Sequence, residues 1–250
     1  MNRLSRLFGF RPQANRVLVG THHKGGTVWM KDIFSAVCAH LSLDFYGGEQ
    51  RHLPGRYDVF LQDHSRFRLS RLVGPHRGLH LIRDPRDLII SGVFYHERCT
   101  NERWLTDPDP RFQGRSYQQT LAGLPSLAEK IRFEMLHCAG ATIRDMLAWE
   151  YGHPMFYEEK YEDLIEDVEM RRFREIFTFL GYPEDRMNEL VQIAFDGSLF
   201  SNGMTSGHVR SGQPRQWPSY FTKSLHRQFL EHFGDALIRL GYEQNDQWCP

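Results

Sequence analysis

The chain has 250 residues, of which 40% are hydrophobic and 25% charged, and its 31 Lys and Arg balance 31 Asp and Glu. That is enough chain for one α/β domain with an ordinary core, and a net charge of zero argues against a nucleic-acid partner while still allowing a local cationic site for a phosphate. Four scattered cysteines without a C-x-x-C pair, and no apolar run near the roughly 18 residues of a membrane span, exclude a disulfide framework, a zinc site and a membrane span, and fit a cytoplasmic protein.

Residues 1–15 carry Arg3, Arg6 and Arg11 around short apolar stretches, without the continuous core or cleavage site of a signal peptide. They read as a basic N-terminal arm ahead of a single domain over 16–250, which shows no internal repeat or low-complexity linker. Arg16 to Gly20 is a strand, followed by a glycine-bearing loop. Thr27 to His40 is then a helix with Trp29, Ile33, Val37 and Leu41 at helical spacing. Further strands are expected at Asp58–Gln62 and Gly78–Ile82, the latter running into Arg83-Asp84-Pro85-Arg86-Asp87 and a helix through Ser91. A long helix is expected over about Leu124–Trp149, a short strand at Pro154–Tyr157, and helices at Val168–Leu180 and Asp185–Phe195. Asp196–Ser219 is irregular, and a last helix covers about Lys223–Leu240. Strands alternating with helices predict a P-loop-type, mostly parallel sheet flanked by helices on both faces. The loops after Gly20, Gln62 and Ile82 should line one crevice at the carboxyl ends of the strands.

The first of these loops, Gly20-Thr21-His22-His23-Lys24-Gly25-Gly26-Thr27, opens a helix after a strand. Backbone N–H groups and the helix N-terminus suit it to hold an anion, although a glycine turn with no ligand has the same composition. It nearly reads G-x-x-x-x-G-K-T, but Gly26 stands where the triphosphate loop has its lysine, and the lysine lies two positions earlier. A lysine entering from the side fits a shorter donor with one labile group better than ATP or GTP. Lys24-Gly25-Gly26-Thr27-Val28-Trp29 resembles the 5′-phosphosulfate loop of the sulfotransferases that use 3′-phosphoadenosine 5′-phosphosulfate (PAPS). The resemblance implies that Lys24 meets the phosphosulfate and its leaving oxygen. Thr27, with the amides of Gly25, Gly26 and Val28, would hold the 5′-phosphate, and Trp29 either lies against adenine or packs in the core.

Arg83 to Ser91 ends one strand and begins the next helix, offering a guanidinium fork and a hydroxyl about two turns on. Taken alone it is equally a salt-bridged helix start. With the first loop in place, it resembles the family's 3′-phosphate motif, which assigns Arg83 and Ser91 to that phosphate. By the same resemblance Tyr161, in Lys160-Tyr161-Glu162-Asp163-Leu164, lies near adenine, unless Asp163 merely caps a helix. Arg210-Ser211-Gly212 is similar to the loop that closes over the 3′-phosphate, with Ser211 replacing a lysine and Arg215 as the candidate to offset it, and Ser198 falls on the adenine side.

Histidine suits the base that takes the acceptor's proton. His64, last in Gln62-Asp63-His64, stands where the family carries its catalytic histidine, with Gln62 in place of a lysine. His23 is the second candidate, His22 could supply charge, and Arg66 is a possible helper. The implied reaction is in-line transfer of a sulfuryl group from PAPS to an acceptor hydroxyl or amine, with no metal, since Lys24 neutralises the leaving group. A small-molecule kinase using ATP on the same loop and a non-catalytic nucleotide-binding module are the alternatives. The acceptor is a small molecule whose class the sequence leaves open.

Overall fold

Five short apolar runs pair side by side in the computed structural model, which describes residues 15–198 and 213–248. They are β1 (Arg16–Thr21), β2 (Phe45–Gly47), β3 (Val59–Asp63), β4 (His76–Ile82) and β5 (Phe156–Lys160). The order is β2-β3-β1-β4-β5 and every neighbouring pair is parallel. Val17, Leu18 and Val19 are wholly buried, as a strand covered on both faces requires.

Helices supply the two covers. They are α1 (Thr27–Leu41), α2 (Pro85–His96), α3 (Arg103–Thr106), α4 (Tyr117–Ala122), α5 (Leu127–Leu136), α6 (Cys138–Ala148), α7 (Tyr161–Glu166), α8 (Arg171–Leu180), α9 (Met187–Asp196), α10 (Lys223–Phe233) and α11 (Ala236–Arg239). One core joins Ile33, Phe34, Phe173 and Phe177 of α1 and α8 to Val17, Val19 and Leu79 of the sheet. The other joins Ile89 and Val93 of α2 to Ile131, Ile143 and Phe229 of α5, α6 and α10. No helix among the described residues is long and apolar enough to cross a membrane.

Several expected boundaries move. The helix expected over 124–149 is two, broken at His137, whose φ of −105° and ψ of −93° are not helical. The last helix likewise breaks at Gly234, with φ +54°, a backbone that favours glycine. Apolar periodicity runs across both breaks, so it could not reveal them. The strand placed at 154–157 begins at Phe156 and runs to Lys160. Lys160, not Asp163, stands before the first turn of α7, and its side chain makes no capping bond. The edge strand β2, only three residues long, was too short to be read from alternation.

β1 lies between β3 and β4, so the loops that follow these three strands meet at one edge of the sheet. The loop after β4 is pinned from behind. Asp84 caps α2, accepting from the Arg86 backbone, and Pro85 takes the first helical position. The Arg86 side chain, 2% exposed, is paired with Asp84 and Glu243. Its guanidinium is sandwiched at 3.7 Å from the Trp217 ring and 4.8 Å from the Trp248 ring. Removing one partner of a buried pair strands the other charge. Arg86→Ala should therefore destabilise the fold by about 3–5 kcal/mol, read as a lowered midpoint in denaturant unfolding. An unchanged midpoint would make this cage dispensable.

Candidate active site

The first loop is held in a conformation that few sequences adopt. Lys24 has φ +61° and Gly26 φ +102°. A Cβ on Gly26 would meet Leu81 at 3.1 Å and Tyr161 at 3.2 Å, and one on Gly25 would meet the His22 carbonyl oxygen at 2.9 Å. Glycine is thus needed at Gly25 for space and at Gly26 for its backbone angle. No side chain caps α1, so its first-turn N–H groups stay available to an anion, together with the positive end of the helix dipole. Thr27 opens the helix, its hydroxyl donating to Asp63 Oδ1 at 3.0 Å and lying 2.9 Å from the Thr21 hydroxyl. Lys24 Nζ sits 3.4 Å from the centroid of the Tyr95 ring. Burial, with the nearby Arg83 guanidinium, pulls its pKa down to about 8.

Of the two arginines of the second loop, Arg83 has no acidic partner among the described residues. One guanidinium N–H donates to the Lys24 carbonyl oxygen at 2.9 Å, the group lies 4.6 Å from the Tyr161 ring, and its buried Nε has no partner among the described residues. No partner is recorded for the Ser91 hydroxyl among the described residues, and Ser91 is half-buried on α2. Strain at a lysine, a tight glycine cradle and an unpartnered buried guanidinium N–H together fit a phosphate-bearing ligand. Tyr161 packs edge-on to Trp29 at 5.6 Å and walls the cradle. Trp29 itself is in the core, between Tyr161 and Phe173, with its indole N–H unpartnered, while Val28 is exposed. Ser198 is buried and its hydroxyl donates to the Phe195 carbonyl at 2.6 Å. Arg210, Ser211 and Gly212 lie outside the described residues. Arg215 is paired with Glu166 at 3.2 Å.

The histidines divide sharply. His22 is fully buried, its Nε2 2.9 Å from His80 Nε2, and burial with His80 holds its pKa well below the ordinary value. It is thus neutral and supplies no charge to the loop, contrary to expectation. His23 Nε2 shares a 2.8 Å hydrogen bond with His96 Nε2, and its Nδ1 lies 3.9 Å from Asp63 Oδ2. Burial, then His96, brings the His23 pKa down to about 4. Behind it His96 Nδ1 is bonded to Glu134, which also accepts from Tyr117, each at 2.8 Å. His64 differs. Its backbone is left-handed, with φ +71°, its N–H donates to Asp63 Oδ1, and its Nδ1 lies 2.9 Å from Asp145 Oδ2. Its Nε2 has no hydrogen-bond partner among the described residues.

Asp145, on α6 and 81 residues from His64, carries no local signal in the sequence. Arg66 grips it with two N–H donors at 3.0 and 2.8 Å. Burial pushes the Asp145 carboxyl up, but the bonds from His64 and Arg66 outweigh it and hold the group below the usual range. Arg66 therefore acts on this carboxylate. His23, His96 and Cys138 are the group of nitrogen and sulfur ligands, among the described residues, close enough for a metal, within 4.8 Å. The two imidazoles are already bonded to each other, however, and burial with Glu134 raises the Cys138 thiol far from the thiolate that a metal requires.

A parallel sheet in this order, with an anion cradle after its central strand and an Asp–His pair beside it, defines a P-loop-type group-transfer protein. The sulfotransferase domain model matches residues 75–241, two thirds of the chain, and the protein belongs to that family. It is accordingly a PAPS-dependent sulfotransferase. The fold is similar to that of mouse sulfotransferase SULT7A1 complexed with PAP, the desulfated product of PAPS. That similarity has a TM-score of 0.60 at 16% identity, over 95% of this chain and 90% of that one. Retinol dehydratase in complex with androsterone and inactive cofactor PAP is also similar, with a TM-score of 0.51 at 18% identity over 92% and 82% of the two chains. No curated protein sequence matches.

Proposed function

We propose that Lys24, Arg83 and His64 carry the reaction in one domain spanning residues 16–250, with a small-molecule hydroxyl or amine as acceptor and the cytoplasm as its setting. PAPS supplies the sulfuryl group and a leaving phosphate. The amides of Gly26 and Val28 hold the 5′-phosphate with Thr27, the Gly25 N–H being bonded to the His22 carbonyl at 2.6 Å, while Arg83 and Ser91 hold the 3′-phosphate. Tyr161, whose ring walls the cradle beside Gly26, bounds the adenine. His64 Nε2 takes the acceptor's proton as the acceptor oxygen bonds to sulfur and the bond from sulfur to the phosphate oxygen breaks. Lys24 faces the charge that this oxygen keeps.

The observation that carries the base assignment is the contrast between His64 and His23. Asp145 occupies His64 Nδ1, which fixes the proton there and leaves Nε2 as an acceptor. The corresponding atom of His23 is already bonded to His96. Asp145 thereby orients the base as a carboxylate orients histidine in other acyl- and group-transfer sites.

The donor reading is tested by calorimetry with PAP and adenosine 5′-monophosphate. A charge-assisted bond contributes about 1.5–3 kcal/mol, so Arg83 at the 3′-phosphate should favour PAP by more than tenfold in affinity. Equal affinities would remove the 3′-phosphate site.

A further inference from the structure

The reacting end of the site opens into a cleft of about 1140 Å³ whose wall holds Thr27, Gln62, Asp63 and His64 at one end and Arg16, Tyr57 and Val73 at the other. Asp63 pairs with Thr21, at the other end of β1 from Arg16, so at about 3.3 Å per residue the two ends of the lining lie roughly 17 Å apart. Six cations line it, Arg16, Lys31, Arg51, Arg66, Arg68 and Arg71, against two carboxylates, Glu49 and Asp63. In a chain with no net charge this is a concentrated excess. Three of the six are engaged: Arg51 with Glu49, Arg66 with Asp145, and Arg16 with the Val73 carbonyl. Lys31, Arg68 and Arg71 are exposed and have no acidic partner among the described residues. The backbone that carries Arg68 is fixed: its backbone N–H donates to Gln50 Oε1 at 2.8 Å and its carbonyl accepts from Gln50 Nε2 at 3.0 Å, tying the two walls together. Arg83, Ser91 and Tyr161 do not line this cleft, so its cations are not called for by the phosphates of the donor.

We propose that the acceptor is an anion, a hydroxyl-bearing molecule whose carboxylate, phosphate or sulfate groups lie along Lys31, Arg68 and Arg71 while its hydroxyl reaches His64. The proposal rests on the reading of the Thr27–His64 end as the reacting end. Cations clustered along a groove attract and align an anion before chemistry, and the attraction is screened by salt.

The test uses pyranine, a fluorescent phenol with three sulfonates, and its uncharged parent hydroxypyrene, titrated by anisotropy into the full chain with and without PAP. Pyranine should bind more tightly than hydroxypyrene and weaken as sodium chloride is raised, whereas hydroxypyrene should not respond to salt. The Lys31→Ala/Arg68→Ala/Arg71→Ala variant should lose about tenfold in pyranine affinity and keep its affinity for PAP. The salt series on the unmodified protein stands even where the triple variant folds poorly. Pyranine that binds no better than hydroxypyrene, or that ignores both salt and the three substitutions, overturns the anionic acceptor. A protein that takes pyranine with this dependence but is not stabilised by PAP keeps the anionic cleft and loses the donor reading instead.

Discussion

His64→Ala lowers turnover on an alcohol acceptor by about 100- to 10,000-fold, the range for loss of a general base, with PAP affinity nearly unchanged. The expectation rests on an imidazole with one nitrogen bound to Asp145 at 2.9 Å and the other free, on a backbone held at φ +71°. Asp145→Asn offers an amide in place of the carboxylate and weakens control over the His64 tautomer, so turnover should fall with little change in the Michaelis constant for donor. An acceptor that arrives ionised, such as an acidic phenol, should be less sensitive to both substitutions, because it has no proton to give. His23→Ala disturbs the His96–Glu134–Tyr117 chain and should cost stability more than chemistry. A near-normal rate in His64→Ala beside an inactive, folded His23→Ala would move the base to the first loop.

Lys24→Ala lowers turnover by about 100- to 1000-fold, the usual loss when one stabiliser of transition-state charge is removed, and weakens PAP binding less. Its contact with the leaving oxygen strengthens as the bond breaks, so it serves the transition state more than the ground state. Arg83→Ala should do the reverse, raising the Michaelis constant for donor most. A pH dependence follows from the lysine's environment. Burial and Arg83 bring its pKa down to about 8, so the ammonium is present below that pH and is lost above it. The ratio kcat/KM, which reports the free enzyme, should therefore fall as pH rises through about 8. Lys24→Arg keeps its charge throughout, so whatever activity it retains should lack this alkaline fall. A Lys24→Ala enzyme changed only in its Michaelis constant for donor would remove the lysine from the chemistry.

Much of this was readable along the chain because the relevant forces are local. Gly25 and Gly26 mark a tight loop, and the His22 carbonyl, Leu81 and Tyr161 leave little room for a side chain at either position. Asp84 and Pro85 announce a helix start by side-chain capping and a fixed φ, and α2 begins there. The apolar runs after Arg16, Asp58 and Gly78 gave three parallel strands to within a residue or two, because a buried strand needs little besides continuous apolar surface. Trp29 was ambiguous for a related reason: the helical spacing that puts it on the core face is the same one that would present it to a ligand.

What the linear order could not contain is the partnering of residues far apart. His64 and Asp145 are 81 positions apart, His22 and His80 58, and His23 and His96 73. Each pair exists only because the sheet order brings the ends of β1, β3 and β4 together and packs α2 and α6 against them. Thirteen histidines cannot be ranked by type, since their roles are set by which nitrogen is free and how far each is buried. Arg83 and Arg86 are likewise indistinguishable as letters, yet one faces the donor loop with a free N–H and the other is caged between two tryptophans. By itself the sequence determined the family, through the resemblance of Lys24–Trp29 and Arg83–Ser91 to that family's motifs, and the parallel sheet, through local apolar patterning. Only the tertiary structure decided which histidine keeps a nitrogen open among the described residues and which cations line the cleft beside it, because solvation and charge pairing depend on neighbours in space.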